Sequence, residues 1–124
     1  MNSNPDLLNN IETWQKINNP LLDKIGEMSI ITSQNVTVGK AEINEVMDMS
    51  PHYHPQEQIT VVLEGKMYIE YNGQKKNIGA GECCIIPGNV EHKVSILKVP
   101  FKSFDIFSPI KDDFIKSANM MEDK

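Results

Sequence analysis

Turn signals cut the middle of this chain at intervals of seven or eight residues. Glu64-Gly65, Asn72-Gly73, Gly79-Ala80-Gly81 and Pro87-Gly88-Asn89 punctuate short apolar segments such as ITVVL, KMYIE and ECCII. Asn-Gly between two such segments is a strong short-range hairpin signal, because both residues tolerate positive φ. Segments this short have no room for a long amphipathic helix, but each is long enough for a strand. Strands are predicted near residues 22–25, 28–33, 36–38, 40–48, 51–54, 57–63, 66–71, 75–78, 83–87, 91–97 and 101–107. Many short strands at regular spacing point to an all-β sandwich or barrel. The 124 residues suit one domain with one core. Residues 1–20 read as an N-terminal arm or short amphipathic helix carrying Trp14 and ending at Pro20. Residues 21–112 read as the barrel, and residues 113–124 as a tail with one short helix over Asp112 to Ser117.

Charge narrows the partners. The net charge of −5 opposes binding to a nucleic-acid backbone or an anionic membrane. All twelve cationic residues are lysines, so an anionic ligand would meet ammonium groups, metal or backbone, never a guanidinium fork. No stretch reaches the ~20 apolar residues of a membrane helix. The opening MNSNPDLLNN has neither a basic nor an apolar run, so a cytoplasmic location is expected. Cys83 and Cys84 are neighbours whose side chains would point to opposite faces of a strand. They are expected to be small buried hydrophobes in a reducing compartment rather than a disulfide.

The densest chemistry lies in PHYHPQEQ, residues 51–58. In a strand His52 and His54 share a face, and even parity continues through Gln58, Thr60 and Val62. Tyr53, Glu57, Ile59, Val61 and Leu63 then take the other face, unless Pro55 introduces a bulge that brings Glu57 in. The third histidine, His92, follows the turn PGNVE on a later strand. Histidine is the commonest metal ligand, and its ordinary alternative here is a polar strand residue.

His52-Tyr53-His54 with Gln58 and Gly65 resembles the first cupin motif, and Gly81, Pro87 and His92 resemble the second. The resemblance covers roughly residues 38–110. It implies a double-stranded β-helix, a jelly-roll barrel whose mouth holds a divalent metal on His52, His54, Gln58 and His92. Zinc, nickel, manganese and iron all accept such donors. The pattern's glycine before the first histidine is Val46 here, its later asparagine is Ile96, and its glutamate ligand is Gln58. A neutral amide leaves the ion's charge uncompensated, which favours Lewis-acid chemistry over oxygen activation on iron.

Alternation along SFDIFSP places Ser103, Asp105 and Phe107 on one face of a strand and Phe104 and Ile106 on the other. Asp105 is then either exposed or inside the barrel mouth. The combination of Gln58 with D-x-F-S-P resembles the small cupins of pectin and alginate breakdown, which linearise 4,5-unsaturated monouronates. That resemblance implies Asp105 as acid/base, Phe107 against the sugar, and Lys111 at the substrate carboxylate, where the family usually has arginine. A sugar-acid substrate and a homodimer are expected on the same ground. The alternatives are a metal- and ligand-binding module without turnover, and an iron-dependent oxygenase.

Overall fold

The computed structural model describes residues 13–19 and 22–122. Eight strands and one helix follow in order: β1 (Gln15–Ile17), β2 (Gly26–Thr32), β3 (Thr37–Ile43), β4 (Met47–Asp48), β5 (Glu57–Tyr71), β6 (Gln74–Gly79), β7 (Cys83–Ile86), β8 (Lys93–Ser108) and α1 (Asp112–Glu122). The strands pair antiparallel in the order β1-β2-β3-β8-β5-β6, with β4 on β8 and β7 on β5. The all-β jelly-roll expectation holds.

Two long strands create the barrel. The first half of β5 pairs with β7 and with the second half of β8, whereas its second half pairs with β6 and the first half of β8. The sequence reading broke both strands, at Glu64-Gly65 and between residues 97 and 101. The chain instead runs on through an irregular stretch, with register shifts between Val62 and Met67. Gly65 is the reason for the local bend. It sits at φ 84°, and a Cβ there would lie 2.5 Å from the Lys98 carbonyl and 2.7 Å from that of Pro100. A bulge lets a strand change sheets without ending.

Other differences are local. Residues 22–25 form a turn, and residues 51–54 contribute only the isolated bridge His52–His92. Residues 36–38 belong to β3, and the expected 40–48 strand divides into β3 and β4. Residues 15–17 are a strand on β2 rather than a helix, while residues 1–12 and Pro20 lie outside the described residues. Helix α1 runs five residues beyond the expected end, with Asp112 and Asp113 in its first turn, where acidic side chains favour the helix dipole. No described helix is long and apolar enough to cross a membrane.

Alternation fills the interior. Ile30, Ala41, Ile43, Val62, Met67, Ile69, Ile78, Ile86, Ile96 and Phe101 form one buried cluster contributed by strands of both halves. A fully buried Ile such as Ile30 or Ile86 contributes roughly 2 kcal/mol by leaving water. The cluster fills one part of the barrel and lines the base of a cavity in the rest.

Candidate functional site

The inward parity of β5 survives Pro55. Gln58 and Thr60 are buried, whereas Glu57 is exposed and Tyr53 and Leu63 are 67% and 45% exposed. His52 and His92 exchange both backbone hydrogen bonds, 2.9 and 2.8 Å, which locks the 50s segment to the start of β8. His54 and His92 are buried and His52 is half-buried, and their ligand atoms lie within 4.8 Å of one another. Bonds of ~2.1 Å to one ion would need separations up to roughly 4.2 Å, so small ring rotations would suffice.

Each imidazole is oriented by its own backbone. Nδ1 of His52 faces the Ser50 carbonyl at 3.3 Å, that of His54 the Gln56 carbonyl at 3.1 Å, and that of His92 the Val90 carbonyl at 2.9 Å. A carbonyl only accepts, so Nδ1 carries the proton in each ring and Nε2 carries a lone pair. Such carbonyl partners are usual for histidines that hold metal. His92 Nε2 is buried with no hydrogen-bond partner. Burial pushes the His92 pKa down to about 4, and burial together with the Lys111 charge lowers that of His54. Both rings are therefore neutral at pH 7, as ligands must be.

A directed hydrogen-bond line starts at Gln58, beside the histidines. Gln58 Nε2 donates to Thr60 Oγ1 at 2.8 Å, and Thr60 Oγ1 donates to Asp105 Oδ1 at 2.7 Å. The carboxylate can only accept, so the direction of both bonds is fixed. It turns Gln58 Oε1 toward His54 Nε2, 3.0 Å away. Two lone-pair atoms then face each other with no proton between them. A cation shared by both atoms would remove that conflict and would also supply the missing partner of His92 Nε2. The donor set of three imidazoles and one amide therefore fits a divalent ion. Gln58, not Glu57, has the orientation for it.

Asp105 faces inward on β8, opposite Thr60 on β5. Burial raises its pKa to about 6, against the opposing hydrogen bonds of Thr60 and Gln58. Phe107 lies two residues on, buried and edge-to-face with His54 at 5.6 Å. Lys111, just before α1, is 7% exposed. Its Nζ lies 2.9 Å from both Asp113 carboxylate oxygens and 4.4 Å from the centre of the Phe114 ring. All these groups line one cavity of about 400 Å³, floored by Met28, Met67, Ile96 and Phe101. The structure thus brings together His52, His54, Gln58, His92, Asp105, Phe107 and Lys111. Sequence reading missed the part of Thr60, whose only signal is its shared parity with Gln58, and that of Asp113, which has no sequence signal.

The two cysteines differ from expectation. Both are free thiols on opposite faces, as the alternation requires, but Cys83 is exposed and Cys84 only half-buried. Cys84 faces inward beside Thr60, and burial pushes its thiol pKa up to about 11.

Comparison with known proteins agrees with this architecture. The chain superposes on KdgF from a Halomonas species with TM-score 0.68 at 22% identity, covering 82% of this chain and 90% of that one. An RmlC-like cupin from Shewanella frigidimarina gives 0.67 at 21% identity, over 81% and 88%. Oxalate decarboxylase of Bacillus subtilis, whose Mn(II) centres are known, gives 0.68 at 14% identity, over 81% of this chain and 29% of that one. At these identities the likeness is one of fold. No curated protein matches the sequence. The cupin domain profile matches residues 40–107, more than half of the chain, and the chain belongs to the cupin domain family.

Proposed function

We propose that this chain is a metal-dependent enzyme acting on a small sugar acid, with the ring opening of a 4,5-unsaturated monouronate as its reaction. The observation that carries the reading is the directed line from Gln58 through Thr60 to Asp105, with Gln58 Oε1 turned to His54 Nε2 at 3.0 Å, in the cavity that also holds Lys111. The line sets an acid/base group beside a site fitted for an ion. KdgF is a structural neighbour at 22% identity, and that likeness shows the fold alone.

The reaction is an isomerisation and needs no oxidant. The C1 hydroxyl loses its proton, the C1–O5 bond breaks, and the C4=C5 electrons take up a proton at C4. The products of that rearrangement are an aldehyde at C1 and a ketone at C5. A divalent ion held by His52, His54, Gln58 and His92 would act as a Lewis acid, unusually strong because none of its protein donors carries charge. Asp105 takes and returns the proton, and a pKa near 6 suits both roles close to neutral pH. Thr60 aims the carboxylate and favours its charged form. Phe107 and Phe114 close one wall against water, and Lys111 meets the substrate carboxylate as a point charge.

A second reading, a binding module without turnover, is favoured by one observation: Lys111 is already engaged by Asp113. One assay separates them. Purified protein loaded in turn with Zn²⁺, Ni²⁺, Mn²⁺ or Fe²⁺ is mixed with unsaturated galacturonate or mannuronate monomer, and the alkene absorbance is followed. Faster loss than in metal-matched buffer is expected, and it should disappear in Asp105→Asn. Ligand-induced thermal stabilisation without absorbance loss would instead establish the binding module.

A further inference from the structure

Lys111 carries its charge where little water reaches it. Its side chain is 9% exposed, and the rings of Phe114 and Phe107 lie 4.4 and 5.5 Å from Nζ. Ring faces attract a cation, but a buried ammonium also needs acceptors for its N–H groups. Asp113 supplies them, with both carboxylate oxygens at 2.9 Å. The burial of this pair is lopsided. The Asp113 side chain is 67% exposed, so it can turn into water, whereas Lys111 cannot. The backbone of Lys111 is fixed. Its N–H donates to the buried Thr37 hydroxyl at 2.9 Å, and the carbonyl before it, that of Ile110, accepts from Gln56 Nε2 at 3.0 Å. Lys111 and Asp113 both line the cavity, and the Phe107 ring reaches from the ammonium to the His54 ring, 5.6 Å between centroids. A ligand lying along Phe107 would touch the ion position and the ammonium together.

We propose that Asp113 is an internal stand-in for the substrate carboxylate: it holds the Lys111 ammonium while the cavity is empty and yields it to the acid that enters. This rests on the reading above that Lys111 meets the substrate carboxylate. Only Asp112 lies between the two residues, so the effective concentration of the Asp113 carboxylate at Nζ is on the order of millimolar or higher. An acid held by Lys111 alone must outcompete that. An acid held also at the ion has the same intramolecular advantage, so it can take the place of Asp113. The released carboxylate goes to water, and the buried ammonium is never without an acceptor. The exchange lowers affinity by the strength of a pair with one exposed partner, roughly fivefold. When the product leaves, Asp113 closes on Lys111 again. Asp113 thus sets how tightly the site holds carboxylates as a class, and it does not act on neutral sugars.

Calorimetric titration of the Zn²⁺-loaded full chain tests the exchange. The probes are saturated galacturonate, an acid with no 4,5 double bond to rearrange, and galactose, its neutral counterpart. Asp113→Asn should bind galacturonate about fivefold more tightly than the wild type, with galactose affinity unchanged. Asp113→Glu keeps the charge and should stay near the wild type. Asp112→Asn removes the same charge from the same helical turn but outside the cavity lining, and should also bind as the wild type does. In the wild type the side-chain carboxyl carbon-13 signal of Asp113 should move on saturation with galacturonate and stay in place with galactose. Unchanged or weaker galacturonate binding by Asp113→Asn, while Lys111→Met loses it, overturns the inference alone, because Asp113 would then only hold the lysine in position. So does an Asp113 signal that does not move, or an equal gain for galactose. Galacturonate affinity that survives Lys111→Met, or a wild type that binds no galacturonate, overturns the reading of Lys111 and this inference with it.

Discussion

Replacing Gln58 by glutamate tests the site's charge accounting. In the metal-free protein the new carboxylate would compete with Asp105 for the single hydroxyl proton of Thr60. Hydrogen bonds of 2.8 and 2.7 Å meet at that hydroxyl, so the two carboxylate oxygens would stand no more than about 5.5 Å apart. Two like charges at that distance repel by about 3 kcal/mol at an effective dielectric constant of 20. Asp105, with its pKa of about 6, can escape by taking a proton, which at pH 7 costs about 1.4 kcal/mol, less than the repulsion. A domain of this size should therefore melt on the order of 5 °C lower as Gln58→Glu, in chelator, at neutral pH. The deficit should shrink below about pH 6, where protonation is cheap. A divalent ion reverses the sign, because the extra negative charge then lies against a cation. Zn²⁺ in excess should raise the melting temperature of the variant by more than it raises that of the wild type. Differential scanning calorimetry with and without metal reads both effects. A metal-free variant that melts with the wild type, or one that gains less from Zn²⁺, would refute the placement of Gln58 between the histidines and Asp105.

Thr60→Val removes the donor that holds down the pKa of Asp105, so this pKa should climb beyond about 6. The carboxylate exists only above its pKa, so the acidic limb of the pH–rate profile should move to higher pH, and a carbon-13 NMR titration of Asp105 should show the same shift. Gly65→Ala should destabilise the fold by at least about 2 kcal/mol in chemical denaturation, since a Cβ would meet two carbonyls at 2.5 and 2.7 Å from a positive φ. Cys84 has a folded pKa of about 11 against an ordinary 9.0. The unfolded chain therefore loses its thiol proton first: the contribution is whole below pH 9 and is lost as pH rises toward 11. Cys84→Ala should flatten the stability profile in that window relative to the wild type, as read by urea denaturation.

How much of this the sequence revealed depended on the range of the physics involved. Parity has period two and needs no knowledge of the fold, so the inward set of His52, His54 and Gln58 and the outward Glu57 could be read directly. Gly65 was misread because a glycine with positive φ looks the same in a hairpin turn and in a bulge. Only the carbonyls of Lys98 and Pro100, brought in from β8, distinguish the two. The bond from Thr60 to Asp105 depends on the register of β5 against β8, 45 residues apart, which no local pattern encodes. Lys111 could be placed after D-x-F-S-P, but its salt bridge to Asp113 arises from the first turn of α1.

The charges inside the cavity show why the glutamine matters. Lys111 is offset by Asp113, and His54 and His92 are neutral. A divalent ion would then face a single carboxylate, that of Asp105, and the cavity would retain one unit of positive charge. A monoanionic substrate completes the balance. With glutamate at residue 58 the same cavity would already be neutral, and drawing a carboxylic acid out of water would bring no electrostatic return to offset its desolvation. The amide thus does two things at once. It leaves the ion's charge available to polarise a hydroxyl or carbonyl, and it leaves a charge deficit that an acid substrate fills. Lys111→Met should show the second effect alone. The ion-loaded cavity would pass from one positive charge to neutral through Asp113, so affinity for the acid should fall at least tenfold while Zn²⁺ affinity rises. Opposite movement of those two constants in isothermal titration separates loss of charge from loss of structure, which would weaken both.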